Sequence, residues 1–255
     1  MTGRLKPIGL GVLSFALIIV AWELAVRAGW LNPFFTSQPT AILAALERAA
    51  RAGDLARSLR VTLGEFAAGF GLAIAIGFGV GVLGGWFRTV EYAIDPFLWF
   101  VYSAPLIAFY PLFVLWLGLG THTVIAISFL LAVTPIAVNT MTGIRQTSPQ
   151  LVLAARSFGA RPRDLLWNVV LPSSVPMIVA GLRLGVGRAL TGVVIAELFV
   201  PSGGLGSSIA YNAGLLKTTD MLASLMVIVA LGVICTQGLG AVEARFDSWR
   251  TGPGL

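Results

Sequence analysis

Long apolar stretches separated by short polar ones set the grain of this chain. A helix needs about 20 mostly apolar residues to cross the hydrocarbon core of a bilayer. Six runs of that kind fall at residues 8–28, 66–87, 96–119, 123–141, 175–200 and 221–242. Two polar segments interrupt them. Residues 31–64 read as an amphipathic helix, with Ile42, Leu43, Leu46 and Ala49 on one side and Glu47, Arg48 and Arg51 elsewhere. Such a helix can lie along a membrane interface. The second polar segment, 143–172, carries LAARSFGARPRDLLWNVVLP from 153 onward. Here Ser148 is placed to cap a helix that has Pro149 at its first position. Gly159 ends it by tolerating a left-handed turn. Pro162 opens a second short helix, with Asp164 in the first turn favoured by the helix dipole, and Pro172 is expected to stop it. The pattern therefore predicts an all-α polytopic membrane protein, one domain over 1–255, with six transmembrane helices and a two-helix knob built to dock into a partner.

Composition supports that class. Hydrophobic residues make up 57% and charged residues 11%, against roughly 25% charged in soluble domains. The single cysteine, Cys235, lies inside the sixth run and reads as a small apolar packer, so neither a disulfide nor a metal cluster is expected. The formal charge of +6 is a topology signal and does not point to nucleic acid. With both termini in the cytoplasm, Arg4, Lys6, Arg88, Arg145, Arg156, Arg161, Arg163, Arg245 and Arg250 fall inside. Arg27, Arg48, Arg51, Arg57, Arg60 and Lys217 fall outside, a modest positive-inside bias. The apolar run after Arg4 and Lys6 is long, and no small-x-small site follows it. It reads as a retained first span and not as a cleaved signal.

The spans hold candidate chemistry. Gly77, Gly81 and Gly85 repeat at four-residue spacing in the second span, which suits close helix packing within or between subunits; a flexible gating helix fits the same pattern. The third span carries Pro105 and Pro111, which predict kinks. Beside them Tyr102, Ser103 and Tyr110 are candidates for a polar path, and Asn139 continues the theme in the fourth span. A bent packing helix explains the third span equally. Arg183 and Arg188 lie within the fifth span, where a charge costs about 2.5–3.5 kcal/mol on insertion scales. Either they line a path for an anion or they are structural cations bonded to carbonyls or to Glu23 of the first span. Glu197, near the outer end, is expected in water.

Residues 201–208, PSGGLGSS, lack the Lys and the strand context of a phosphate loop and are expected to form a re-entrant turn or an exported loop. No GK[ST] sequence occurs, so the chain is not expected to hydrolyse ATP by itself. His122 is expected in a short connection, with no nucleophile–base constellation around it.

The knob carries a specific spacing: Ala154 and Ala155, three residues, Gly159, nine residues, Val169, one residue, Leu171 and Pro172. It resembles the cytoplasmic loop motif of binding-protein-dependent ABC importer permeases. Val169 stands for the usual Ile. Leu153 replaces the usual Glu, which removes a charge from the docking surface. SAPLIAFYPLFVLWLG from 103, GLRLGVGRALTGVVIAE from 181 and SLRVTLG from 58 are similar to the nitrate, sulfonate, taurine and bicarbonate group of that family.

The resemblance implies a type I importer permease of MetI-like fold, placed in the bacterial inner membrane. It implies a docking surface of Leu153, Ala154, Ala155, Arg156, Gly159 and Arg163, with Leu171 and Pro172 at its base. The implied partners are two ATP-binding subunits, a second permease (a copy, or a related chain) and a periplasmic or lipid-anchored solute-binding protein, with membrane lipid around them and no nucleic acid. No cofactor is expected on this chain, since ATP and Mg belong to the partner ATPase. The implied cargo is a small organic or inorganic anion, with a vitamin precursor or aromatic compound as the alternative. A stand-alone secondary transporter would need inverted repeats and acidic ion sites at mid-membrane. An intramembrane enzyme would need a catalytic constellation at depth. Neither accounts for the knob.

Overall fold

The computed structural model describes residues 5–246, and every described element is a helix or a turn. Arg4 and Arg250, counted in the charge reading, lie outside the described residues. Helix α1 (Leu5–Arg27) coincides with the first apolar run. The short α2 (Pro33–Thr36) and the amphipathic α3 (Pro39–Ala52) come next. Ile42 and Ala45 of α3 are buried against Ala223, beside Trp22 and Leu46, whereas Leu43 stays exposed. Gly53, at φ 81°, takes the left-handed turn that ends α3.

Helix α4 (Asp54–Trp86) starts at once and runs well beyond its apolar half, which is the expected second span. It packs with α7 (Thr121–Arg145) and α10 (Leu171–Phe199) as the central trio. The glycines explain how close these helices come. A Cβ on Gly77 would lie 2.9 Å from the Val133 carbonyl oxygen, and one on Gly81 2.7 Å from that of Ala137. From α10, Gly181 meets Asn139 and Gly192 meets Ser128 in the same way. The four-residue glycine spacing is thus packing within one subunit. Ala73, Ala132, Ile136 and Ala189 fill the centre of the trio.

The expected third span is broken. Helix α5 (Arg88–Ser103) ends at Ala104, a 3-10 turn spans Leu106–Phe109, and α6 (Tyr110–Leu117) departs at 86°. The cause is local: a residue before proline is pushed out of the helical region, and Ala104 sits at φ −68°, ψ 135° ahead of Pro105. Pro96 and Pro111 are absorbed, the second because it lies in the first turn of α6, where its missing N–H is no loss.

The knob consists of α8 (Pro149–Ser157) and α9 (Pro162–Leu165). Pro172 does not stop the second of these helices. Leu166–Val170 form one π turn, and the helix continues unbroken into α10, so that 38 residues from Pro162 to Phe199 make a single rod. In the π turn the Leu171 N–H bonds to the Leu166 carbonyl, five residues back. That wider register lets the helix pass Pro172 near the start of α10, where a missing donor costs little.

Helices α11 (Leu205–Gly214) and α12 (Thr218–Phe246) are the last described elements and pack on α10. Among the described residues, four helices are long and apolar enough to cross a membrane, and the bent pair α5–α6 makes a fifth where it is counted as one span.

Candidate functional site

The knob stands at one end of the bundle, near the C-terminal ends of α4 and α7. Its root is apolar: Ile144, Leu165 and Val170 are buried, with Leu171 and Ala155 packed beside them. The neighbouring helix ends are tied by Arg145, which pairs with Glu91 of α5 and donates to the Gly84 carbonyl at 3.2 Å.

The turn inside the knob follows the sequence closely. Gly159, at φ 81°, places its N–H on the Arg156 carbonyl at 2.9 Å, and the Ala160 N–H reaches the Ala155 carbonyl at 3.1 Å. This is the glycine-ended closure that helix C-termini favour. Pro162 opens α9, and the Asp164 carboxylate accepts the Arg161 N–H at 3.2 Å. Ser148 occupies the cap position of α8, but its side chain makes no capping bond.

Leu153, Ala154, Arg156, Gly159 and Arg163 are exposed, while Ala155, Leu171 and Pro172 turn partly inward. The motif is therefore divided between a presented face and the root that holds it. Leu153, where the family has Glu, is 68% exposed, and Phe158 at the tip is 93% exposed. Sequence reading missed Phe158. Its signal was available: a bulky apolar residue directly before the helix-ending glycine points away from the root.

Of the residues singled out within the spans, Tyr102, Asn139 and Arg188 come together. They line a cavity of about 310 Å³ between α5, α7 and α10, with Trp99 and Thr134. The Arg188 guanidinium lies 5.7 Å from the Tyr102 ring centroid and forms no salt bridge among the described residues. Asn139 donates to the Pro135 carbonyl at 2.8 Å.

The others lie elsewhere. Ser103 is exposed at the end of α5. Tyr110 is held by a 3.0 Å bond to the Phe199 carbonyl. Arg183 packs beside Gly240 of α12. Glu23 does not partner the fifth-span arginines; it binds Arg27 at 2.7 Å and the Thr40 hydroxyl at 2.8 Å. His122 is exposed in the first turn of α7.

Glu197 is the clearest correction. It is not in water: at about 1% exposure it lies beneath residues 201–206, because Thr62 and the Gly206 N–H fold onto its carboxylate.

A glycine-tight bundle of long apolar helices with a two-helix knob at one end has the build of a membrane protein, and comparison with known proteins gives its family. Residues 71–244 match the family described as binding-protein-dependent transport system inner membrane component, and the chain belongs to that family. It is 34% identical to an ABC transporter permease protein of Methanocaldococcus jannaschii, over 92% of this chain and 90% of that one. It is 29% identical to the taurine transport system permease protein of Escherichia coli, over 96% and 90% respectively. Among solved structures, an inward-facing MetNI methionine ABC transporter shares the fold at TM-score 0.62 and 22% identity, covering 76% of this chain and 96% of that one.

The chain is thus an ABC importer permease subunit, a membrane protein and a non-catalytic one, whose family works with separate ATPase subunits and a solute-binding protein.

Proposed function

We propose that two permeases, this chain paired with a copy or a close relative, form a pathway for a small organic anion. Two cytoplasmic ATPases each receive one α8–α9 knob, and an external binding protein delivers the cargo. The arrangement has six spans with both termini in the cytoplasm of a bacterial cell, and the bacterial inner membrane as its location. The observation that carries the cargo class is Arg188: a guanidinium within a span, over an aromatic ring in a cavity, with no salt bridge among the described residues. A charge within a span is costly and by default marks a substrate or ion pathway. Taurine, named for the transport system of one relative, carries a sulfonate of the kind that a guanidinium binds, alongside an ammonium.

Coupling derives from the rod. ATP binding closes the two ATPases, and the knobs move with them. Because α9 continues into α10 without a break, a tilt at Pro162 is carried toward Phe199 as a rigid motion. The Arg188 cavity lies on that lever, so its access shifts with the nucleotide state of a partner that alone binds ATP and Mg.

The test compares Arg188→Ala with Arg188→Lys in proteoliposomes holding the whole transporter. Transport of an anionic cargo should fall at least tenfold in the alanine variant and partly recover in the lysine variant, at equal amounts of assembled complex. Equal transport by the alanine variant would remove Arg188 from the pathway.

A further inference from the structure

At the end of the bundle opposite the knob, two buried carboxyl groups lie under one glycine-rich turn. Glu65 of α4 and Glu197 of α10 are each about 1% exposed. Both lie under one turn: the Ser202 hydroxyl reaches Glu65, the Gly206 N–H reaches Glu197, and Thr62, three residues before Glu65 on the same face of α4, bonds to Glu197. Neither takes part in a salt bridge among the described residues.

The two are not equivalent. Both oxygens of Glu197 are served: Oε1 accepts the Thr62 hydroxyl at 2.7 Å, and Oε2 accepts the Gly206 N–H at 2.6 Å. Thr62 in turn accepts the Leu205 N–H at 2.8 Å. Glu65 has almost nothing. Its Oε2 is reached by the Ser202 hydroxyl at 3.5 Å, the outer limit of a hydrogen bond, and its buried Oε1 has no hydrogen-bond donor among the described residues. An ionised carboxyl only accepts, so two of them under one turn form no bond with each other and leave buried charge uncompensated. A protonated one has a donor to give.

We propose that Glu65 and Glu197 hold a single proton, Glu65 as the neutral acid donating to the Glu197 carboxylate, and that this proton fastens residues 201–206 over the end of the bundle. The donor pattern sets the direction. Thr62, Gly206 and the Glu65 hydroxyl converge on Glu197, which spreads its charge over three bonds. The orphaned Oε1 then belongs to the group that gives and need not accept.

The space is shaped for this. A Cβ on Gly204 would fall on the Glu197 carboxylate, and a Cβ on Gly206 would lie 2.7 Å from the Glu197 Cβ. A hard cation does not fit, because Ca²⁺ or Mg²⁺ takes about six or more oxygen ligands. Here both Glu197 oxygens already face N–H and O–H donors, whose hydrogens repel a cation.

The experiment is infrared spectroscopy on the transporter purified through this chain and held in lipid nanodiscs at neutral pH. The wild-type spectrum minus that of Glu65→Gln should show one protonated-carboxyl stretch that shifts in D₂O. Hydrogen exchange at the Leu205 and Gly206 amides gives the second readout. Protection should survive in Glu65→Gln, whose side-chain amide still donates to Glu197, and fall at least tenfold in Glu197→Ala. If Glu65→Gln does not assemble, Glu65→Asp keeps an acid at shorter reach and should move the stretch without abolishing it. Three results would overturn the proposal: no protonated-carboxyl stretch in the wild type, a carboxylate signal that changes on chelation, or a stretch that Glu65→Asp leaves unmoved. Because none of these readouts requires cargo or ATP, a failure here stays separate from a failure of the transport reading.

Discussion

The two ends of this bundle are built by opposite rules. At the knob, side chains with the most to gain from burial are left outside: Leu153 and Phe158 stand clear on a short pair of helices whose own contacts are confined to the root. At the far end, side chains that water would readily solvate are drawn in: Thr62, Glu65 and Glu197 are buried, and Thr62 and Glu197 are bonded to a glycine-rich turn. One end is incomplete until something covers it, and the other is already covered by its own chain. Exposed apolar surface on a polar rim marks a place for a partner, whereas a buried polar network marks a place where geometry is fixed.

That contrast can be broken by substitution. The largest effect should come from Gly206→Val. Its side chain would meet the Glu197 Cβ and the Val194 carbonyl, both 2.7 Å from the position of the first added atom. A core overpacked against backbone loses about 1–3 kcal/mol or more, so the assembled protein should melt well below wild type in a detergent thermal-shift assay. Thr62→Val comes next. It leaves the Leu205 N–H unpaired, at about 1–3 kcal/mol for one buried group, while the Glu197 carboxylate loses one donor and keeps the Gly206 N–H. A smaller loss of melting temperature in the same assay is the expected result, and an unchanged value would mean that water or relaxation replaces the hydroxyl.

At the knob the ranking of stability and function should reverse. Gly159→Val has open space around its Cβ, so only its positive φ resists the change, at about 1–2 kcal/mol for a left-handed L-residue. The protein should stay in the membrane while ATP hydrolysis uncouples from uptake, read as ATPase turnover per solute transported. Wild-type coupling at normal abundance would sink the docking role of this turn. Phe158→Ala should leave the melting temperature within error and weaken retention of the ATPase by about 2 kcal/mol, the scale of an aromatic hot spot. A pull-down titration against the alanine variant measures that directly. An equal ATPase affinity would move the docking surface elsewhere on α8–α9.

The same contrast explains what was legible in the sequence. The knob is local: Pro149, Gly159, Pro162 and Asp164 act within a few residues of one another, and their turn chemistry read correctly. The apolar runs located the central helices for the same reason. Pro172 misled because proline rules assume α-helical register, and the π turn at 166–170 changes it. Pro105 misled in the other direction, since a kink was expected and a break of 86° was found. The Glu65–Glu197 pair joins positions far apart in the chain, so no window contains both. One signal for Glu65 did exist. The buried face of α4 reads Thr62, Glu65, Gly69, Ala73, Gly77, Gly81 and Gly84, and tracing the glycine stripe back by threes and fours lands on both polar members. Nearness to a span end predicts water around Glu197, and a tight turn folded over it overrides that expectation.

The π turn at Leu166–Val170 also works as a one-residue slack in the rod. An α-helical turn takes about 3.6 residues, and a bond five residues back takes roughly one more into the same revolution. The extra residue therefore shifts the sequence by one position while the helices on either side keep their heading. Deleting one residue there would let the turn close as ordinary α-helix, and the knob should still face the same way. The heading of the knob is thus insulated from a one-residue change in the length of the rod, by a turn whose Val170 is part of the buried root.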